Sequence, residues 1–97
     1  MTASHCVAGN IHRPYFFNIV VGAHDKSKPE ATQQRSVARQ VIMHPNYGKG
    51  GGLNADIALI ELKTPLKLND RVVRACMPKE GVYPKKGTNC YIAGEFM

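Results

Sequence analysis

The sequence predicts an all-β protein. Two observations carry that expectation. Short stretches rich in β-branched and aromatic residues recur along the 97 residues, and turn formers such as Pro29, Pro45 and Pro78 separate them. Spacing of this kind belongs to sandwiches and barrels built from short strands. The chain shows no internal repeat, low-complexity stretch or second domain, so residues 1–97 are treated as one unit.

Each element has a local reason. Thr2 to Ala8 reads as a brief helical turn. Residues Tyr15 to His24 combine aromatic and β-branched side chains and predict a first strand, followed by a polar loop from Lys26 to Gln33 that contains Pro29. Val37 to Met43 alternates imperfectly and predicts a second strand, stopped by His44-Pro45-Asn46-Tyr47. Asp56 to Leu62 is apolar on both faces, the pattern of a strand buried between layers. Leu66 to Leu68 and Thr88 to Ala93 are further strand candidates, and Pro78 to Lys86 is a basic connector.

Composition narrows the function classes. With 43% hydrophobic residues and no Trp, the chain has material for a modest core. The formal charge of +6 comes from residues scattered through Lys26, Lys28, Lys63, Lys67, Lys79, Lys85 and Lys86 rather than gathered in one arm. A solvated surface accounts for them, and the few aromatics argue against a nucleic-acid partner. No apolar run approaches membrane-spanning length and no secretory leader pattern stands in residues 1–20, so no membrane association is expected. Gly48-Lys49-Gly50-Gly51-Gly52 lacks the Ser or Thr and the following helix that a phosphate loop needs, and reads as a surface loop. His12, His24 and His44 lack partners at ligand spacing, so neither a metal nor a cofactor is expected. The three cysteines, Cys6, Cys76 and Cys90, are an odd number with no CxxC spacing.

Two segments carry chemistry. Thr2-Ala3-Ser4-His5-Cys6 and Asn54-Ala55-Asp56-Ile57-Ala58-Leu59-Ile60-Glu61-Leu62 resemble the trypsin-like, chymotrypsin-fold serine endopeptidases, in which a T-A-x-H-C turn holds the catalytic histidine and a D-I-A-L strand the catalytic aspartate. His44-Pro45-Asn46-Tyr47, Cys76-Met77-Pro78 and Cys90-Tyr91-Ile92-Ala93-Gly94 extend the resemblance along nearly the whole chain. It implies the N-terminal half of a double Greek-key β-barrel domain, a first-barrel segment incomplete at both ends, with His5 and Asp56 as catalytic residues. The chemistry agrees. A serine hydroxyl attacks a peptide carbonyl only if an imidazole takes its proton, and a carboxylate on the other ring nitrogen fixes the tautomer and stabilises the imidazolium.

The resemblance also sets what to expect of the rest. The family's G-D-S-G-G nucleophile segment has no match, and Ser4, Ser27 and Ser36, the only serines, are poorly placed to replace it. The 97-residue chain is therefore expected to be inactive alone. The resemblance implies that Cys6, Cys76 and Cys90 are structural disulfide cysteines with partners outside the chain, Cys76 tethering a propeptide or light chain. It further implies an extracellular setting, protein or peptide substrates, and no calcium, because Ala23 and Gln33 stand where some members carry glutamates and Glu30 alone offers too few oxygens. A second reading is a non-catalytic, protease-like binding module or decoy. Retention of both His5 and Asp56 argues against it, since binding alone has no chemical need for either.

Overall fold

Three strands form one antiparallel sheet in the order β1-β2-β3, with β1 at Asn18–Val21, β2 at Gln34–Met43 and β3 at Ala58–Leu62. This computed structural model describes residues 1–23, 31–52 and 54–94. The expected loop from Lys26 to Gln33 falls mostly outside them, as do His24, Ser27 and Glu30. The expected helical turn is present as α1, Ser4–Val7, continued by a 3-10 turn over Ala8–Asn10. The first strand begins later than expected because Pro14–Phe16 close a 3-10 turn, in which Pro14 takes the first position that its fixed φ favours.

β2 is the central strand and explains its own imperfect alternation. It pairs with β1 through Asn18↔Val37 to Val21↔Gln34, and with β3 through Ala38↔Leu62 and Val41↔Ile60 to Met43↔Ala58. A bulge lies between Ala38 and Gln40. A strict period of two would turn the halves of β2 to opposite faces; the extra residue resets the phase, so that Ser36 and Ala38 before it and Val41 after it are all buried. Val7, Ala38, Val41 and Ala58 form the core, with Ile11, Phe17, Ile19, Met43 and Ile60 packed against it. The two alanines at its centre leave room for α1 to approach the sheet.

Two strand candidates are not strands. Thr64 and Lys67 are instead held to β2 by side chains. Ser36 Oγ donates to Thr64 O at 2.9 Å and accepts from Thr64 N at 3.2 Å, while Gln34 Nε2 donates to Lys67 O at 2.7 Å and Gln34 Oε1 accepts from Lys67 N at 2.8 Å. Pro65 lacks the N–H that a regular ladder would require between them. Residues 88–93 keep their strand-like composition, yet Tyr91 and Ile92 are 98% and 87% exposed. β-propensity describes fit to a half-buried pleated surface, and the described residues offer that segment no such surface. β3 differs from expectation too. Ala58 is buried, but Leu59 is 55% exposed, and with Ile42, Ile57, Met1 and Met77 it lines an open apolar cleft of about 290 Å³. Only one face of this strand is covered among the described residues.

The neck between β1 and β2 depends on Gly22. Its φ is +72°, a side chain's first carbon there would lie 2.1 Å from Thr32 O, and the Thr32 hydroxyl donates to Gly22 O at 2.7 Å. Gly48 has nearly the same φ, +73°, with nothing within 4 Å. Gly48→Ala is therefore expected to cost about 1 kcal/mol for left-handed backbone alone, and Gly22→Ala about 2 kcal/mol more for the clash. Urea denaturation of the two variants side by side checks this; equal midpoints would show that the Gly22 neck does not constrain the sheet.

Candidate active site

The site is made where the start of the chain lies antiparallel to the entry of β3. Thr2 and Ala58 exchange backbone hydrogen bonds at 2.9 and 2.8 Å. The Ser4 hydroxyl then donates to Ile57 O at 2.6 Å, and Ser4 is fully buried. The third contact brings His5 to Asp56 across a sequence separation of 51. Three consecutive contacts, each one or two residues further along both segments, fix the imidazole and the carboxylate in register.

Asp56 grips His5 with both oxygens. Oδ1 accepts the His5 backbone N–H at 2.8 Å, and Oδ2 lies 2.5 Å from His5 Nδ1. An ionised carboxylate can only accept, so the ring proton lies on Nδ1 and the lone pair on Nε2. Hydrogen bonding from the His5 ring, and after it from the His5 amide, holds the Asp56 carboxyl below its ordinary value of 3.8; partial desolvation opposes this, while the His5 charge and the Ser4 amide add to it. The His5 side chain is 52% exposed and that of Asp56 19% exposed. The arrangement can accept a proton at Nε2 and stabilise the resulting cation.

The backbone before β3 is shaped to present Asp56. Ala55 has φ +52°, the left-handed region, and Ile57 N donates to Ala55 O at 2.8 Å, closing a three-residue turn centred on the aspartate. Upstream, Gly48 N donates to Asn54 O at 3.0 Å and Asn54 Nδ2 to Lys49 O at 3.1 Å, which ties off the glycine-rich loop.

Of the residues singled out from the sequence, the structure brings together His5, Asp56 and Cys6, whose Sγ lies 3.5 Å from His5 Nε2. Cys6, Cys76 and Cys90 are exposed free thiols. His44 serves its own turn, with Nδ1 accepting Asn46 N–H at 3.0 Å. Ser4 and Ser36 have their hydroxyls engaged with Ile57 O and with Thr64, and neither contacts the imidazole. Sequence reasoning missed Thr2, Ser4 and Ala55 as positioning residues. Their contributions are backbone bonds, one buried hydroxyl and one backbone angle, which no local pattern announces.

Comparison with known proteins gives a consistent picture. Residues 1–95 match the family model described as Trypsin. The chain is 34% identical over 96 residues to chymotrypsin-like elastase family member 1 of Canis lupus familiaris, covering 97% of this chain and 35% of that protein. It is 38% identical over 96 residues to cathepsin G of Homo sapiens, covering 97% and 34%. It thus spans about a third of the length of these relatives.

The depressed Asp56 pKa has a sign that can be tested. The folded value lies below the unfolded one, so the stabilising clamp is complete above 3.8 and is lost as pH falls through the lower folded value. A carboxyl-carbon NMR titration is expected to place the Asp56 midpoint below 3.8 and, in His5→Ala, to move it upward but not fully back, because the His5 amide still donates. Ala55→Gly is expected to stabilise the fold by about 1 kcal/mol by relieving left-handed backbone; a lower urea midpoint in that variant would contradict the assignment of strain there.

Proposed function

The chain belongs to the trypsin family, and on that premise we propose that it supplies the proton-transfer half of a serine endopeptidase, with His5 as general base and acid and Asp56 as the residue that orients it. The observation that carries this reading is the two-point grip of Asp56 on His5, through the ring at 2.5 Å and the amide at 2.8 Å. A surface ion pair needs only one such contact. Holding both the backbone and the ring leaves the imidazole one orientation with Nε2 outward, which is the requirement of a base that must meet a hydroxyl at a fixed place.

The reaction follows from that geometry. A serine hydroxyl presented to Nε2 gives up its proton as its oxygen attacks a peptide carbonyl; the imidazolium, stabilised by Asp56, returns the proton to the departing amine and leaves an acyl-enzyme. Water repeats the sequence to release the acyl group. In this reading the serine comes from polypeptide other than these 97 residues: Ser4 and Ser36 are engaged elsewhere, Ser27 lies outside the described residues, and no G-D-S-G-G segment stands in the sequence. Substrates are proteins or peptides. The exposed thiols of Cys6, Cys76 and Cys90 suit disulfides to other parts of an extracellular protein, including a propeptide or light chain through Cys76.

Fluorophosphonate labelling, which reports an activated serine, tests the division of labour. The isolated 97-residue chain is expected to take up no stoichiometric label. The polypeptide translated from the full transcript is expected to be labelled on one serine and to lose on the order of 10⁴-fold in kcat in Asp56→Asn and on the order of 10⁶-fold in His5→Ala. Stoichiometric labelling of Ser4 or Ser36 in the short chain, or full-length hydrolysis indifferent to His5→Ala, would overturn the proposal.

A further inference from the structure

The buried hydroxyl of Ser4 bonds a carbonyl that already has an amide donor. Ile57 O accepts the His44 N–H at 3.0 Å, which continues the pairing of β2 with β3 beyond Met43↔Ala58, and it accepts Ser4 Oγ at 2.6 Å as a second donor. The ladder therefore does not need Ser4. On the other side of the same peptide, Ala58 N donates to Thr2 O at 2.8 Å, so the start of the chain holds the Ile57–Ala58 peptide by both its oxygen and its nitrogen. The residues adjoining that clamp are His5, after Ser4, and Asp56, before Ile57. We propose that Ser4 is a positioning residue for proton transfer, its hydroxyl locking the histidine turn against the peptide that follows Asp56 so that ring and carboxylate meet in one geometry.

The Asp56 side needs such a lock. Ala55 stands at φ +52°, and Ile57 N closes a three-residue turn on Ala55 O at 2.8 Å. Backbone in that region persists only where surrounding contacts over-determine it. The Ser4 hydroxyl supplies one such contact, and it does so from the segment that carries the imidazole. It touches neither ring nor carboxylate itself, so its part in the reaction runs through His5 and Asp56. The inference rests on the proton-transfer reading of that pair.

Packing alone does not account for a hydroxyl at this place. Ser4 is fully buried, and a buried hydroxyl carries a desolvation cost that its hydrogen bond must offset, whereas a methyl group fills the same space without one. Removing Oγ also leaves no orphaned acceptor, because Ile57 O keeps the His44 amide. Ser4→Ala is therefore expected to fold, with its defect confined to how His5 and Asp56 are held.

NMR of the unmutated chain reads the lock first. The Ser4 hydroxyl proton is expected to be visible and slow to exchange with water; a proton in fast exchange overturns the proposal without any variant. Ser4→Ala is expected to keep the amide dispersion of the sheet, while the proton on His5 Nδ1 exchanges about tenfold or more faster as the contact opens. Its Asp56 carboxyl midpoint is expected to move up toward 3.8. In the polypeptide translated from the full transcript, the same substitution is expected to lower kcat about tenfold with KM unchanged, within the roughly 10²-fold that a misplacement of about 1 Å costs. Ser4→Cys, of similar shape but a weaker donor, is expected to fall between the two. A lowered urea midpoint with kcat per folded molecule, the Nδ1 proton and the Asp56 midpoint all unchanged would make Ser4 merely structural and overturn the proposal. Hydrolysis that requires His5 but not the Ser4 hydroxyl removes this inference alone, whereas hydrolysis indifferent to His5→Ala removes the proton-transfer reading beneath it.

Discussion

The hydrogen-bonded seam between residues 2–5 and 56–58 is the constraint on which the site depends. It combines a backbone bridge at Thr2 and Ala58, a buried hydroxyl at Ser4 and the paired contacts of His5 with Asp56. A lone ion pair between a half-exposed histidine and an aspartate contributes little and tolerates many geometries. The seam removes that freedom. Once Thr2 and Ser4 are fastened to β3, the next residue can only meet the turn before the strand, and that turn carries Asp56.

The sheet exists in the form that seam requires. β3 pairs along one edge with β2, and its first residue, Ala58, lies opposite Met43, belongs to the same core cluster as Ala38 and Val41, and bonds Thr2 at its end. The bulge in β2 keeps one face of the strand buried on both sides of the irregularity. Without it, Val41 would turn outward and the support beneath Ala58 would be lost. The core is correspondingly small, and the described residues after Val72 are all exposed. The radius of gyration, 15.6 Å, is larger than the roughly 13 Å of a compact domain of about 100 residues. Stability in this chain is concentrated around the three strands and α1, which is also where the chemistry lies.

The helical turn at Ser4–Val7 and the identities of His5 and Asp56 could be read directly, because short helical turns and motif residues are local properties. Strand β2 could be read with its alternation fault, although the fault gave no hint that it was a bulge. Residues 66–68 and 88–93 misled, because a strand is a relation between two segments. Pro65 interrupts the ladder beside the first of these, and the second lies exposed. The exposed outer face of β3 misled for the same reason: an apolar pattern states what a strand can bury, and the neighbouring elements decide what it does bury.

By itself the sequence determined which groups are available: one imidazole in a short helical turn, one carboxylate ahead of an apolar strand, three thiols and no serine in the family's nucleophile segment. The tertiary structure alone decided that the imidazole and carboxylate meet, that Asp56 holds ring and amide together, that Ala55 takes a left-handed angle to present it, and that Cys6 stands on the remaining ring nitrogen. The physical reason is range. Propensities act over a few residues and can be read in order, whereas hydrogen-bond partners 51 positions apart are chosen by sheet register and by the closing of a core, which exist only after the chain has folded.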